Sequence, residues 1–206
     1  DQMPKTIFAH GWWKVGEQKM SKSLGNIVDP SVMVGVALKD QPYAADVYRY
    51  FLLREIPFGQ DGHFTEAAVR VRLDADLAND LGNLVHRTLS MIQRYCDGVI
   101  PKAAAVGCAV EDEPLRAGAA RLPDVVEGAM ARVDFSSALA AILRVVTQAN
   151  RYIETQAPWQ LAKDGSRERL STVLSVLAEV IRIVAIMLEP FMPSVAEAMW
   201  QQLGLA

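Results

Sequence analysis

Lys19 and Lys22 stand three positions apart in the segment Lys19-Met20-Ser21-Lys22-Ser23, which continues as Leu24-Gly25-Asn26. Two ammonium groups and two hydroxyls in a short loop suit a polyanion such as a phosphate chain. The lysines supply charge, while the hydroxyls and backbone N–H groups donate to oxygen. The loop precedes Asp29-Pro30 and can move as a flap. A second pair, Asn83 and Arg87, is spaced by four, so on a helix both side chains share a face. That face lies away from Leu81, Leu84 and Val85, so both residues are expected to be exposed. An amide and a guanidinium together can read base edges and a phosphate. The third residue is Trp159, in Ala157-Pro158-Trp159 at the end of a helical pattern. An indole there either fills a core or, if exposed, stacks on an unpaired base. Asn150 and Arg151 are its plausible neighbours. Each feature also has an ordinary reading, as a solvated loop, a solvated helix face or core filler.

Other chemistry-bearing residues are scattered. His10, His63 and His86 have no metal-ligand spacing, and no metal site is expected. His10 precedes the lysine loop on the same strand, which places it either near a nucleotide or in packing, and His86 reads as a helix-surface residue. Trp12 and Trp13 are adjacent, so on a strand they face opposite sides and at least one belongs to the core. Met187, Met192 and Met199 read as core filler. There are two cysteines, Cys96 and Cys108, and no Cys-x-x-Cys pair, which argues against a structural zinc and a disulfide framework.

Two textures divide the chain that must position these groups. Lys5 to Trp13 is rich in β-branched and aromatic residues and reads as a strand, with a tight turn at Gly16 and a return segment. A strand this apolar needs a sheet, and little else in the sequence offers one, so the chain is expected to be the tail of a larger protein. From Asp29 the pattern becomes helical. Asp29-Pro30 starts a short helix to about Leu38, and Tyr43–Glu55 follows with Val47, Tyr50, Phe51 and Arg54 at helical spacing. Residues 57–62 read as a loop. Thr65 caps one long helix from Glu66 to about Asp97, with Leu73, Leu77, Leu81, Leu84, Val85, Leu89, Ile92 and Cys96 as its apolar stripe. Further helices are expected over about Glu113–Arg132, Ser136–Gln156, Ser166–Leu188 and Pro193–Leu203, punctuated by Pro158, Gly165, Pro190 and Pro193.

Composition bounds the function. The 206 residues are 51% hydrophobic and 22% charged, which is a globular balance with apolar side chains for a sizeable core. The net charge of −3 excludes a whole-chain basic footprint, so a polyanion would have to meet selected faces. Residues 1–28 lean basic, with Lys5, Lys14, Lys19 and Lys22 against Asp1 and Glu17. Residues 111–134 lean acidic, with Asp112 among the acids. The longest apolar run, Val173–Leu188, is broken by Glu179 and Arg182 and reads as a buried helix, with no membrane partner. The first residues show no apolar signal segment, and the expected location is cytoplasmic.

The lysine loop resembles the signature loop of class I aminoacyl-tRNA synthetases. Phe8-Ala9-His10-Gly11-Trp12-Trp13 before it and Leu24-Gly25-Asn26-Ile27-Val28-Asp29-Pro30 after it are similar to the methionyl-tRNA synthetase family. So are the run from Arg49 to Gly59 and Ala157-Pro158-Trp159, so the resemblance covers essentially the whole chain. It implies that Lys19, Met20, Ser21, Lys22 and Ser23 close on ATP, accompanied by Mg2+, as methionine attacks the α-phosphate. Lys22 is then the catalytic lysine that meets the developing charge. It further implies that Asn83, Arg87 and Trp159 read the anticodon of tRNA(Met), Trp159 meeting its first base, cytosine.

The implied fold is mainly α, an antiparallel helix bundle of the anticodon-binding type, preceded by the last strand and signature loop of a truncated Rossmann-type α/β domain. The implied divisions are 1–28 for the end of the nucleotide-binding domain, 29–65 for a helical linking region that meets the tRNA stem, and 66–206 for the bundle. A His-x-Gly-His-type sequence, which the family needs for adenylate formation, is absent from the 206 residues, so the chain alone is expected to be inactive in catalysis. Two other readings stay open: a stand-alone tRNA-binding or regulatory module, and a related synthetase for leucine, isoleucine or valine.

Overall fold

The structure, a computed structural model, describes residues 3–102 and 109–205, so Cys108 lies outside the described residues. Gly16 takes φ +60° and turns a hairpin of β1 (Trp13–Val15) and β2 (Gln18–Lys19), with Lys14 opposite Lys19. A third strand, β3 (Gly62–His63), pairs in parallel with β1, giving the order β2-β1-β3. Two expectations are corrected here. Regular strand begins at Trp13 and not at Lys5, and the sheet partner comes from the end of the segment expected to be loop. Packing explains both. Ile7 and Phe8 remain largely exposed, Phe8 meeting only the edge of Phe58 among the described rings. Trp13 instead meets Phe51 and Phe64, with ring centroids 5.5 and 6.1 Å away. Gly11 permits the close approach of the two segments, because a Cβ there would fall 2.0 Å from the Gln60 carbonyl oxygen.

The helical signals hold where caps and apolar spacing agree. The Asp29 carboxylate accepts from the Ser31 N–H at 2.8 Å, and α1 (Pro30–Val32) follows, widening into a π-helical turn over Met33–Ala37. In α2 (Ala44–Arg54), Val47, Tyr50 and Phe51 are buried. The Thr65 hydroxyl accepts from the Ala68 N–H and opens α3 (Glu66–Arg72). A π-helical stretch, Leu73–Gly82, leads directly into α4 (Asn83–Tyr95), and Asp97 and Gly98, both at positive φ, end the rod. In place of one uniform long helix, the rod has a middle wider than an α-helix. The Leu73-Leu77-Leu81 spacing of four is compatible with either turn, so periodicity alone does not separate them.

The rod is fastened to two neighbouring helices. The Asp76 carboxylate accepts from the Tyr50 hydroxyl at 2.7 Å, and Arg72 pairs with Glu55 at 2.7 Å, both toward α2. One turn on, the Asp80 carboxylate accepts from the Thr147 hydroxyl, and its carbonyl accepts from the Asn150 amide, each at 3.0 Å. These partners belong to α6 (Phe135–Gln156), the central helix, which packs against α5 (Glu113–Ala131) and α8 (Arg167–Leu188). By length and composition α8 is apolar enough to cross a membrane. Here Val173, Leu174, Leu177, Ile181 and Val184 are fully buried among its neighbours, as in the core helix of a bundle.

A short helix, α7 (Pro158–Lys163), adds to the expected set. Ala157 at φ +42° separates it from α6, and Pro158 takes its first position. The last helix, α9 (Pro193–Gln202), is tied to α2: the buried Asp46 carboxylate accepts from the Val195 N–H at 2.8 Å. Met192 and Met199 are buried, and Met187 is half-buried against the same core.

Asp112, which the charge pattern groups with an acidic stretch, is fully buried. It takes both guanidinium nitrogens of Arg169 at 2.6 Å, the Tyr152 hydroxyl at 2.7 Å and the Ala109 N–H at 3.0 Å. Burial pushes its carboxyl up, and these hydrogen bonds outweigh burial and leave it below the usual carboxylate range. Asp112→Asn removes the buried negative charge that Arg169 pairs with and is expected to destabilise the chain by about 3 kcal/mol at pH 7. A depressed acid stabilises above its unfolded pKa, and that contribution is lost as pH falls through the folded value. The gap between wild type and variant therefore narrows below about pH 4. Denaturant unfolding of both proteins at pH 7 and pH 3 checks this, and an equal gap at both contradicts it.

Candidate functional site

The lysine loop hangs from the hairpin and is shaped by Asn26. The Asn26 side-chain oxygen accepts from the Ser21 N–H at 2.8 Å, and its amide donates to the Lys19 carbonyl at 3.2 Å. Between these points Lys22–Leu24 makes a single 3-10 turn, closed by Gly25 at φ +63°. The Ser21 and Ser23 hydroxyls lie 2.7 Å apart. Met20 is half-buried against the core and anchors the loop. The two lysines differ in state. Lys19 places its ammonium 3.0 Å from the centre of the Trp12 ring, a cation–π contact. Lys22 is exposed, and no carboxylate among the described residues pairs with it.

Asp61 holds the base of this assembly. Its carboxylate accepts from the Trp12 N–H at 2.8 Å and pairs with Lys14 at 2.7 Å. The hydrogen bond from Lys14, followed by that from Trp12, keeps its carboxyl below the usual range. Trp12 is thus the exposed member of the tryptophan pair and Trp13 the packed one. His10 is exposed, with Nδ1 2.8 Å from the Gly11 carbonyl oxygen, and lines an apolar cleft with Trp13, Phe58 and Phe135. His63 lies 2.9 Å from the Gly16 carbonyl oxygen.

At the far end of the rod, Asn83 begins α4 and is exposed. Arg87 differs from expectation. It is half-buried, its guanidinium pairs with Glu154 at 2.6 Å, and it lies 5.8 Å from the centre of the Trp159 ring. Trp159, on α7, is 41% exposed. An exposed indole beside a guanidinium offers a stacking surface next to a hydrogen-bond fork. Asn150 and Arg151 do not join this pair. Asn150 donates to the Asp80 carbonyl beneath the rod, and Arg151 lines a cleft between α5 and α6. His86 is exposed and lines a groove between α4 and α9.

Sequence reasoning misses three contributors. Asn26 lies in the motif but has no role of its own there, Asp61 reads as loop, and Glu154 has no signal that singles it out. Glu154 lies four residues after Asn150 on the exposed side of α6, a weak pattern that names no partner on another helix. Among the described residues, no group of three or more His, Cys, Asp or Glu side chains is placed to hold a metal ion.

Comparison with known proteins bears on the family and the fold. Residues 1–89 match the family described as tRNA synthetases class I (M), and residues 116–206 match the anticodon-binding domain of tRNA ligase. The methionine–tRNA ligase of Caldanaerobacter subterraneus is 48% identical over 204 residues, which is 98% of this chain and 31% of that protein. That of Bacillus subtilis is 43% identical over 98% of this chain and 30% of that protein. The chain thus spans about a third of the length of the curated relatives it matches. Among solved structures, Mycobacterium tuberculosis methionyl-tRNA synthetase in complex with methionyl-adenylate aligns with TM-score 0.89 and 42% identity, over 100% of this chain and 39% of that one. A leucyl-tRNA synthetase from Agrobacterium radiobacter, 22% identical with TM-score 0.65, shares the fold alone. By sequence over nearly its whole length, and by fold, the chain matches the C-terminal region of the class I methionyl-tRNA synthetases.

Proposed function

We propose that this chain supplies two parts of a methionine–tRNA ligase, a mobile loop for the phosphates of ATP and a bundle that reads the anticodon of tRNA(Met). The division proposed is 1–28 for the end of the nucleotide-binding domain, 29–65 for the stem-facing linking region and 66–206 for the bundle. The reading places the protein in the cytoplasm, where tRNA is charged. The observation that carries it is the juxtaposition of Arg87 with the exposed ring of Trp159, beside Asn83 on the same helix. A base stacked on Trp159 presents its edge to Arg87, and Asn83 offers a donor and an acceptor four residues away.

The loop supports the other half of the reading. Its donor set, two ammonium groups, two hydroxyls and backbone N–H groups, fits the oxygens of a triphosphate, and the Mg2+ that accompanies ATP would be held by phosphate oxygens and not by these donors. As methionine attacks the α-phosphate, negative charge moves onto the departing pyrophosphate. Lys22, free of any carboxylate among the described residues, meets that charge better than it meets free ATP, which is what acceleration requires. Lys19 first has to leave Trp12. The chain alone binds tRNA and does not make methionyl-adenylate.

The test of the bundle is binding of a short RNA hairpin with a CAU loop against one with the first base changed, at stated salt. The expected result is a preference for CAU that Trp159→Ala abolishes, and equal affinity for both hairpins contradicts it. In a full-length enzyme carrying this region, Lys22→Ala is expected to lower ATP–pyrophosphate exchange on the order of a hundredfold with methionine affinity unchanged. Wild-type exchange rates remove Lys22 from that role. For the loop, Asn26→Ala is expected to raise hydrogen exchange at the Ser21 amide by about tenfold or more, since that N–H loses its acceptor. Unchanged protection there shows that Asn26 does not hold the loop.

A further inference from the structure

Several arginines of the bundle are held by carboxylates. Arg87, Arg116, Arg169 and Arg182 pair with Glu154, Glu113, Asp112 and Glu179. Arg94 and Arg167 have no carboxylate partner among the described residues, and both are exposed. They come from distant parts of the chain, the end of α4 and the first residue of α8, and line one cleft of about 260 Å³. Ser171 and Cys96 add a hydroxyl and a thiol to its wall. Arg94 also rests near the face of Tyr95, 5.5 Å from the ring centre, which limits where its guanidinium can swing.

The lining holds no carboxylate. Asp97 and Glu168 flank it in sequence but do not line it. Two other clefts of the bundle that contain an arginine also contain a glutamate, Arg116 with Glu113 and Arg151 with Glu111. The cleft is therefore a local positive patch on a chain of net charge −3.

Its position gives the ligand. Asn83, Arg87 and Arg94 are spaced by four and seven, so they follow one face of α4. Arg94 lies about 10 Å beyond Arg87 along the axis, at about 1.5 Å per residue. α7 packs against both α4 and α8, with Trp159 at its start and Ala162, near its end, in the cleft wall. A stacking ring on the helix that also walls a cleft of unpaired cations is an arrangement that can track a single-stranded nucleic acid. We infer that Arg94 and Arg167 form a second RNA contact, a site for a phosphodiester group of the strand whose base stacks on Trp159. This inference rests on the anticodon reading above and extends it, since a phosphate contact adds affinity without reading sequence.

The test uses the 206-residue chain and the two hairpins, CAU and base-changed, across a series of salt concentrations. Arg94→Gln with Arg167→Gln is expected to weaken both hairpins by a similar factor, about tenfold, to leave the CAU preference intact and to flatten the salt dependence by about 0.7 per lost phosphate contact. Replacing both by lysine restores most of the affinity, since charge is kept. Both residues are exposed, and an unchanged melting temperature accompanies the loss. Wild-type affinity and salt slope in the glutamine variant overturn the inference, as does loss of the CAU preference alone. If the wild type binds both hairpins equally and the glutamine variant still flattens the slope, the phosphate site stands and the anticodon reading falls. Inorganic phosphate that binds the wild type but not the glutamine variant, and leaves RNA affinity unchanged at matched ionic strength, assigns the cleft to a free anion and overturns the RNA contact.

Discussion

The rod from Glu66 to Tyr95 has to belong to two neighbours at once, and much of the rest follows from how it is pinned. Asp76 meets Tyr50 and, one turn on, Asp80 meets Thr147 and Asn150. The first contact joins the rod to α2, which carries Phe51 against Trp13 and hence the hairpin with its lysine loop. The second joins it to α6, the central helix of the bundle. Buried Asp46 and its bond to α9 close the circuit, since α2 is held to the bundle at a second place. A hydrogen-bonded carboxylate in a low-dielectric setting is costly to leave unpaired, so these contacts fix geometry more than they add net stability. Asn83 follows Asp80 closely in the chain, so α4 begins on the segment that these pins orient.

Charge is deployed sparingly. With a net charge of −3, the chain offers no general attraction to a polyanion, and several of its arginines are neutralised by a carboxylate, among them Arg72, Arg169 and Arg182. On the proposed reading, the cations that matter most are those left without one: Lys22 in the loop, and Arg94 with Arg167 beyond Trp159. Arg87 is an intermediate case. Its partner Glu154 is largely exposed, so an RNA group replaces a weak, solvent-screened contact and not a buried one.

Much of this is legible in the residues, and what is not has physical causes. Helix starts are readable where a side chain caps, at Asp29 and Thr65, because a cap is a local event between neighbours. The hairpin turn at Gly16 is readable for the same reason. The strand partner Gly62–His63 is not, because a two-residue strand carries no periodicity and is defined by what lies across from it. Burial of Asp112 is hidden too: in sequence it stands between two glutamates, and the arginine that holds it is 57 residues away. In the candidate sites, the lysine loop and the Asn83, Arg87 and Trp159 set are visible as residue types, while their partners Asn26, Asp61 and Glu154 need coordinates. The π-helical turns and the αL break at Ala157 escape because spacing by four suits both kinds of helix and alanine seldom adopts positive φ.

The central claim is that an unpaired base lands on Trp159. The chain has four tryptophans, Trp12, Trp13, Trp159 and Trp200, which NMR resolves as four indole N–H signals. The direct measurement is titration with a CAU hairpin while these signals are followed, each assigned by single substitution. The account predicts that the Trp159 signal shifts and saturates with the RNA while those of Trp13 and Trp200 stay in place. A titration in which RNA binds and the Trp159 signal does not move contradicts it.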